Sequence, residues 1–201
     1  MDQLGLIYAV DDDSAVLRSL EALLSQHNYE VRCYASAVEF LQSAPLEAAA
    51  CLITDVRMPV ISGAELLQRL NTAGSPISTI VVTGVADVPT AVALMENGAV
   101  TLLEKPYDQA VLLKAVARGL EASKKSWEKQ QAERSVGQRL QTLSDEEQKV
   151  LQFMLSGEPN KTISSKLDLS MRTVDRRRQT ILKKMQVQSL PQLAMLVGRA
   201  G

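Results

Sequence analysis

Five short β-rich runs, each followed by a helix-type apolar stripe, fill the first 120 residues. That alternation constrains the fold more than any other feature of the chain. The runs fall at 4–10, 30–34, 51–54, 79–83 and 100–103. Between them Leu17, Leu20, Leu23 and Leu24 recur at helical spacing, as do Leu66, Leu67 and Leu70. Ala91, Leu94 and Met95 form another stripe, entered through Asp87 as a cap and Pro89 in the first turn. A further helix starts near Asp108 and carries Val111, Leu112, Ala115, Val116 and Leu120. Strands separated by helices pair in parallel, because a parallel crossover needs about a dozen residues or more. The expected fold class is α/β: a doubly wound five-stranded parallel sheet, with a second, small all-α domain behind it. Ligands of such sheets bind at the carboxyl ends of the strands, beside the switch in strand order.

Charge divides the 201 residues into unlike parts. Residues 1–121 carry 7 basic and 15 acidic side chains, a net of −8. Residues 122–142 net +3 and residues 143–201 net +4. We therefore expect a front domain over 1–121, a helical linker over 122–142 and a back domain over 143–201, with nucleic acid meeting only the basic back half. The linker is polar and rich in helix formers, and is expected to extend the preceding helix as a solvated stalk that breaks near Gly137. Leu113, Leu120 and Trp127 are seven apart, the spacing of a coiled-coil seam, but Arg134 ends the series. No apolar run is long enough to cross a bilayer and no leader pattern is evident, so the chain is expected in the cytoplasm with no membrane partner. Aromatics are 3% of residues, so the cores are expected to be aliphatic. Cys33 and Cys51 read as small buried hydrophobes and His27 as a polar helix end, a set too scattered for zinc.

Chemistry-bearing residues stand at the expected strand ends. Asp11, Asp12 and Asp13 follow the first run, Asp55 the third, Thr83 closes the fourth, and Lys105-Pro106 follows the fifth. A parallel sheet brings all of them to one edge. Carboxylates gathered there repel one another and call for a cation. All-oxygen ligands favour Mg²⁺, which takes one or two carboxylates and keeps waters and phosphate oxygens. One carboxylate in such a cluster is a nucleophile toward phosphorus, giving an acyl phosphate, with a lysine and a threonine hydroxyl to meet the phosphoryl oxygens. Asp13 alone is equally well explained as a helix cap.

Helix signals in the back domain fall at about 144–156, 160–167, 171–185 and 190–198. Ser144 and Glu147 have capping-box spacing, and Ser170 is placed to cap the third helix. At about 100° per residue, Val174, Ile181 and Met185 share the core side of that helix. Arg172, Asp175, Arg176, Gln179 and Lys183 take the opposite face, with Arg177 and Lys184 on one flank. Arg176 and Gln179 suit base edges, where Arg pairs with guanine and Gln with adenine. Asp175 accepts from cytosine N4 or holds an arginine, and Arg177 and Lys184 suit phosphates.

Val10–Asp13 (VDDD), Thr54–Gly63 (TDVRMPVISG), Val81–Gly84 (VVTG) and Glu104–Pro106 (EKP) occur in the order found in response-regulator receivers. The chain resembles that family over about residues 4–120, closest to its FixJ-like branch. The resemblance implies a CheY/flavodoxin-like receiver with Asp55 as phosphoacceptor. It implies Mg²⁺ (or Mn²⁺) bound by Asp12 directly, by Asp11 through water, by Asp55 and by the Arg57 carbonyl. Thr83 and Lys105 would contact the phosphoryl group, and Lys105–Pro106 would be cis. Leu102 stands where an aromatic switch residue is common in the family. Residues 143–198 resemble LuxR/NarL-type helix-turn-helix domains through Glu147, Val150, Leu151, Gly157, Asn160, Lys161, Ile163, Leu167, Ser170, Arg172, Thr173, Val174, Lys184 and Val187. Asp168 replaces the family's turn glycine, and Arg177 sits where His is frequent. The last helix resembles the family's dimerisation helix. Together these resemblances imply a two-component response regulator of the NarL/FixJ family. It would be phosphorylated by a sensor histidine kinase, form a homodimer on phosphorylation and bind promoter double-stranded DNA. It would be no enzyme beyond its own phosphorylation and dephosphorylation. Two other classes remain open from the residues: a phosphorelay intermediate, and a hydrolase of the aspartyl-phosphate type.

Overall fold

A computed structural model of the protein describes residues 3–84 and 87–198. The outermost residues of both expected domains, 1–2 and 199–201, lie outside them. The elements run β1 (Leu6–Val10), α1 (Ser14–Gln26), β2 (Glu30–Tyr34), α2 (Ala37–Ser43), β3 (Ala50–Asp55), α3 (Gly63–Thr72), β4 (Ser78–Thr83), α4 (Val88–Glu96), β5 (Thr101–Glu104) and α5 (Gln109–Gln141). They continue with α6 (Asp145–Leu155), α7 (Asn160–Leu167), α8 (Met171–Lys184) and α9 (Leu190–Gly198). Contacts divide the chain into two units, residues 1–128 and 129–201.

In the first unit the strands form one parallel sheet in the order β2-β1-β3-β4-β5. Side chains alternate between its faces, as a period of two requires. Ile7, Ala9, Cys51, Ile53, Ile80 and Val82 face one core with Leu17, Leu20 and Leu24 of α1 and Leu112 and Val116 of α5. Tyr8, Val10 and Leu52 face the other with Phe40 of α2 and Leu66 and Leu70 of α3. Aliphatics dominate the first core. The second core departs from the aliphatic expectation, because Tyr8, Tyr34 and Phe40 meet edge to face there with centroids 5.2–6.0 Å apart. Such contacts add to area burial. Cys51 is buried and burial pushes its thiol up to about 12, while Cys33 is half-buried. His27 closes α1, its ring nitrogen 3.0 Å from the Leu23 carbonyl.

Two expectations about the linker fail. The helix does not break near Gly137 but runs on to Gln141. A helical glycine costs only about 1 kcal/mol relative to alanine. Buried Val136 and partly buried Leu140, which pack into the core of the second unit, outweigh it. Nor is the start of the linker simply solvated. Ser123 is buried, and its Oγ accepts the Ala50 N–H of β3 at 2.9 Å. Leu113 and Leu120 pack on the sheet's core, so their spacing of seven serves the fold and not a seam.

The second unit closes around Val136, Val150, Leu151, Met154, Ile163, Val174, Ile181, Met185 and Leu193. Its helix ends follow local chemistry. Ser144 and Glu147 make both bonds of a capping box, and Ser170 Oγ accepts the Thr173 N–H. Asp168 ends α7 in the left-handed region at φ 51°, a conformation a short polar side chain tolerates.

Candidate phosphoacceptor and nucleic-acid sites

β1 pairs with both β2 and β3, so the strand order switches between them. Register then sets the residues at the carboxyl edge. Val10 lies opposite Thr54, Asp55 opposite Val82, and Thr83 opposite Glu104. Asp11, Asp55, Thr83 and Lys105 are therefore brought together from four different strand ends.

Lys105 Nζ donates to Asp11 Oδ2 at 3.0 Å and to Asp55 Oδ1 at 2.9 Å. The remaining oxygens are held as well. Asp11 Oδ1 accepts the Asp13 N–H at 2.9 Å, and Asp55 Oδ2 accepts the Arg57 N–H at 2.6 Å. Both carboxylates are largely buried, whereas the lysine side chain keeps 29% of its surface. Burial alone would lower the Lys105 pKa. Its hydrogen bonds to Asp55 and Asp11, with their charges, outweigh burial and hold it above the ordinary lysine value. The clustered carboxylates thus have a resident cation, which is this lysine.

Other predicted residues have distinct positions. Asp13 caps α1, its Oδ1 accepting the Ala15 N–H at 2.7 Å, which is the cap reading. Asp12 is exposed beside the cluster, Arg57 is exposed, and Thr83 is buried at the end of β4. The Lys105–Pro106 bond is cis. Leu102 lies opposite Val81 and packs on the small cluster of Leu67, Val81, Leu94 and Ala99.

The donor set fits a hard divalent cation. Two carboxylate oxygens within hydrogen-bond reach of one ammonium are close enough to share one cation, and every donor is oxygen. Among the described residues no three His, Cys, Asp or Glu side chains form a ready metal cage. Mg²⁺ does not need one, since it keeps several waters.

One determinant escaped the sequence reading. A Cβ on Gly63, the first residue of α3, would lie 2.1 Å from the Asp55 carbonyl oxygen. The Gly63 N–H donates to the Val56 carbonyl at 3.0 Å, so the helix starts directly on the backbone that follows Asp55. A glycine just after the Ser62 cap, where alanine would favour the helix more, was the available signal.

In the second unit α8 presents Arg172, Asp175, Arg176, Gln179 and Lys183 on its exposed face, and Lys161 of α7 is exposed too. Thr173 is half-buried, its Oγ1 2.8 Å from Ser170 Oγ. Asp175 Oδ1 accepts from Asn160 Nδ2, and among the described residues it is paired with no arginine. Arg177 donates to Glu146, and Lys184 Nζ to Glu147 Oε2 at 2.6 Å and the Thr142 carbonyl at 2.9 Å. Burial would raise the Glu147 pKa. The Lys184 and Ser144 hydrogen bonds, with the charges of Lys184 and Arg177, bring it below the ordinary carboxylate value. Among the described residues no helix is long and apolar enough to cross a membrane.

Known proteins match both units. Residues 7–117 match the response regulator receiver domain, and residues 141–197 match the bacterial regulatory proteins of the luxR family. The chain is 42% identical to the transcriptional regulatory protein FixJ of Azorhizobium caulinodans, over 97% of its own length and 92% of the relative's. Identity to FixJ of Rhizobium meliloti is 38%, over 97% and 96%. Identity to the response regulator protein TmoT of Ectopseudomonas mendocina is 37%, over 98% and 90%. Among solved structures, response regulator StyR superposes with a TM-score of 0.85 at 33% identity, over 96% of this chain and 98% of that one. Full-length FixJ from B. japonicum gives 0.59 at 35% identity, over 99% and 98%.

Proposed function

The chain belongs to the response-regulator receiver family, with a luxR-family regulatory domain behind it, and from the Lys105–Asp11–Asp55 cluster we propose that Asp55 is its phosphoacceptor. It is a two-component response regulator that acts on transcription, and not an enzyme with a separate substrate. One observation carries the assignment of Asp55: it shares the Lys105 ammonium with Asp11 at the switch in strand order.

An Asp55 carboxylate oxygen forms a bond to phosphorus as the phosphorus–nitrogen bond of a kinase phosphohistidine breaks, and the imidazole nitrogen leaves with the electron pair. Asp11, Asp12, Asp55 and the Arg57 carbonyl would hold Mg²⁺ (or Mn²⁺), which supplies positive charge against the developing phosphoryl oxygens. Lys105 already donates to Asp55 and turns its hydrogens toward the same oxygens. Thr83 offers its hydroxyl from the end of β4. The Asp55–Arg57 hydrogen bond orients the carboxylate before the donor arrives, so little reorganisation remains for the reaction.

Phosphorylation then favours a homodimer through the α4–β5–α5 surface, with Leu102 and Thr83 as its internal switch. Two α8 helices enter adjacent major grooves of promoter DNA. Lys161, Arg172, Thr173, Arg176 and Lys183 supply contacts to phosphates and bases. Gln179 reads a base edge and Asp175 keeps Asn160 in place. The setting is the cytoplasm, where kinase and DNA meet.

DNA footprinting with and without a small phosphoryl donor and Mg²⁺ tests the reading on wild type and Asp55→Ala. The donor should strengthen protection for wild type alone. Equal strengthening in Asp55→Ala would refute the assignment.

A further inference from the structure

Helix α8 carries more positive charge than it offers to DNA. Arg177 and Lys184 are seven residues apart, so at about 100° per residue they lie in one line along the helix. That line faces the first turn of α6, where two consecutive acids meet it. Arg177 Nη2 donates to Glu146 Oε2, and Lys184 Nζ donates to Glu147 Oε2.

The two pairs differ in kind. Glu147 is only 11% exposed and also closes the capping box, so it belongs to the domain's frame. Glu146 is 66% exposed, whereas its partner Arg177 is 17% exposed with its Nε buried and unpartnered. The carboxylate of Glu146 is therefore the accessible half of a pair whose cation is drawn in toward the helix bundle. An arginine on the flank of a groove-facing helix is placed for the DNA backbone. Here its charge is balanced before any phosphate arrives.

We infer that Glu146 withholds Arg177 from the DNA backbone and so tunes sequence-independent DNA affinity, acting as a positioning residue through that arginine. The inference rests on the DNA-binding reading of α8. Each phosphate neutralised by a protein cation adds about 0.9 to the slope of log K against log salt. The exposed cations Arg172, Arg176 and Lys183 contribute to that slope in the wild type. Arg177 does not while Glu146 holds it. Binding to every sequence is weakened alike, so a single domain stays weak on random DNA and occupancy depends on paired binding.

The test is a double-mutant cycle on the full chain, using a mixed-sequence duplex of about 30 base pairs and fluorescence anisotropy across a fourfold range of KCl. Glu146→Gln should bind more tightly at low salt and show a slope steeper by about 0.9. Over that range it should lose about 3.5-fold more affinity than wild type. Arg177→Gln should leave the wild-type slope unchanged and remove the added slope in the Glu146→Gln background. The last comparison separates freeing of Arg177 from simple removal of a repelling acid. A wild-type slope in Glu146→Gln overturns the inference, and so does a flatter slope in Arg177→Gln alone. Loss of cooperative melting in Glu146→Gln also overturns it, because Glu146 would then be a structural clamp. Lys183→Gln should flatten the slope whatever Glu146 does. If wild type shows no salt-dependent binding at all, the DNA-binding reading fails and takes the inference with it.

Discussion

Replacing Gly63 by alanine should disable Asp55 without touching any group that reacts. The new Cβ would stand 2.1 Å from the Asp55 carbonyl oxygen and 3.0 Å from its carbonyl carbon. Since Cβ contacts below 3.0 Å are essentially unknown, the two backbones must part by about 0.9 Å. If Asp55 yields, a shift of that size carries its 2.9 Å contact to Lys105 beyond hydrogen-bond range. Misplacing a reacting group by about 1 Å costs on the order of 100-fold in rate. If α3 yields instead, buried Leu66, Leu67 and Leu70 must repack, at about 1–3 kcal/mol. Phosphorylation from acetyl phosphate, followed by intact mass, should therefore slow about 100-fold, or the melting temperature should fall by several degrees, or both. Gly63→Ala that is phosphorylated within twofold of wild type and melts at the same temperature would refute the reasoning.

Gly137→Ala should act in the opposite sense. Nothing lies within 4 Å of the place a Cβ would take at this position of α5, so the change should stabilise the chain by about 0.5–1 kcal/mol, read as a higher urea midpoint. Lys105→Met leaves the Asp11 and Asp55 carboxylates facing each other without their ammonium. Phosphorylation from acetyl phosphate should slow about 100-fold or more, and a rate near wild type would remove Lys105 from the mechanism. Glu147 predicts acid sensitivity. Its folded pKa is depressed, so its stabilisation is complete above the unfolded carboxylate value and is lost as pH falls through the lower folded value. Helix circular dichroism should show Glu147→Gln with a lower urea midpoint at neutral pH and a weaker loss on acidification; an unchanged acid profile contradicts the pairing with Lys184.

What was legible in the sequence was whatever local chemistry decides. Strand alternation placed Asp11, Asp55, Thr83 and Lys105 at one edge, because parallel strands leave no other arrangement for four strand ends. Caps at Asp13, Asp87, Ser144 and Ser170 were readable from side chains that bond amides two or three residues on. What was hidden depends on partners far along the chain. Gly137 looks like a helix break until Val136 and Leu140 find the second core. Helix angles put Arg177 and Lys184 on a flank, but not against Glu146 and Glu147, which lie 31 and 37 residues away. Strand ends put Lys105 near the carboxylates, and only the assembled edge shows it bonding both Asp11 and Asp55.

On the proposed phosphorylation of Asp55, the attachment of α4 decides which part of the first unit would respond. Helix α3 buries Gly63, Leu66, Leu67 and Leu70, and α1 buries Leu17, Leu20 and Leu24. Helix α4 buries Leu94 alone, while Val88, Val92 and Met95 are exposed. An element with few buried apolar contacts opens at the low end of a protein's stability range. Asp55 lies opposite Val82, one residue before Thr83, and Leu102 packs with Leu94. The proposed phosphoryl group, which would add nearly two negative charges at that edge, would act beside α4, a helix with one buried residue. Coupling of about 1–3 kcal/mol, typical between linked sites, is of the same order as the packing of one leucine. Amide exchange should be faster in α4 than in α1 or α3. Leu94→Ala, a loss of about 2–5 kcal/mol of packing, should raise α4 exchange by about 30-fold or more while leaving α1 nearly unchanged. Wild-type α4 amides as protected as those of α1 would mean that Leu94 does not hold this helix alone, and the route from Asp55 to the surface would have to run elsewhere.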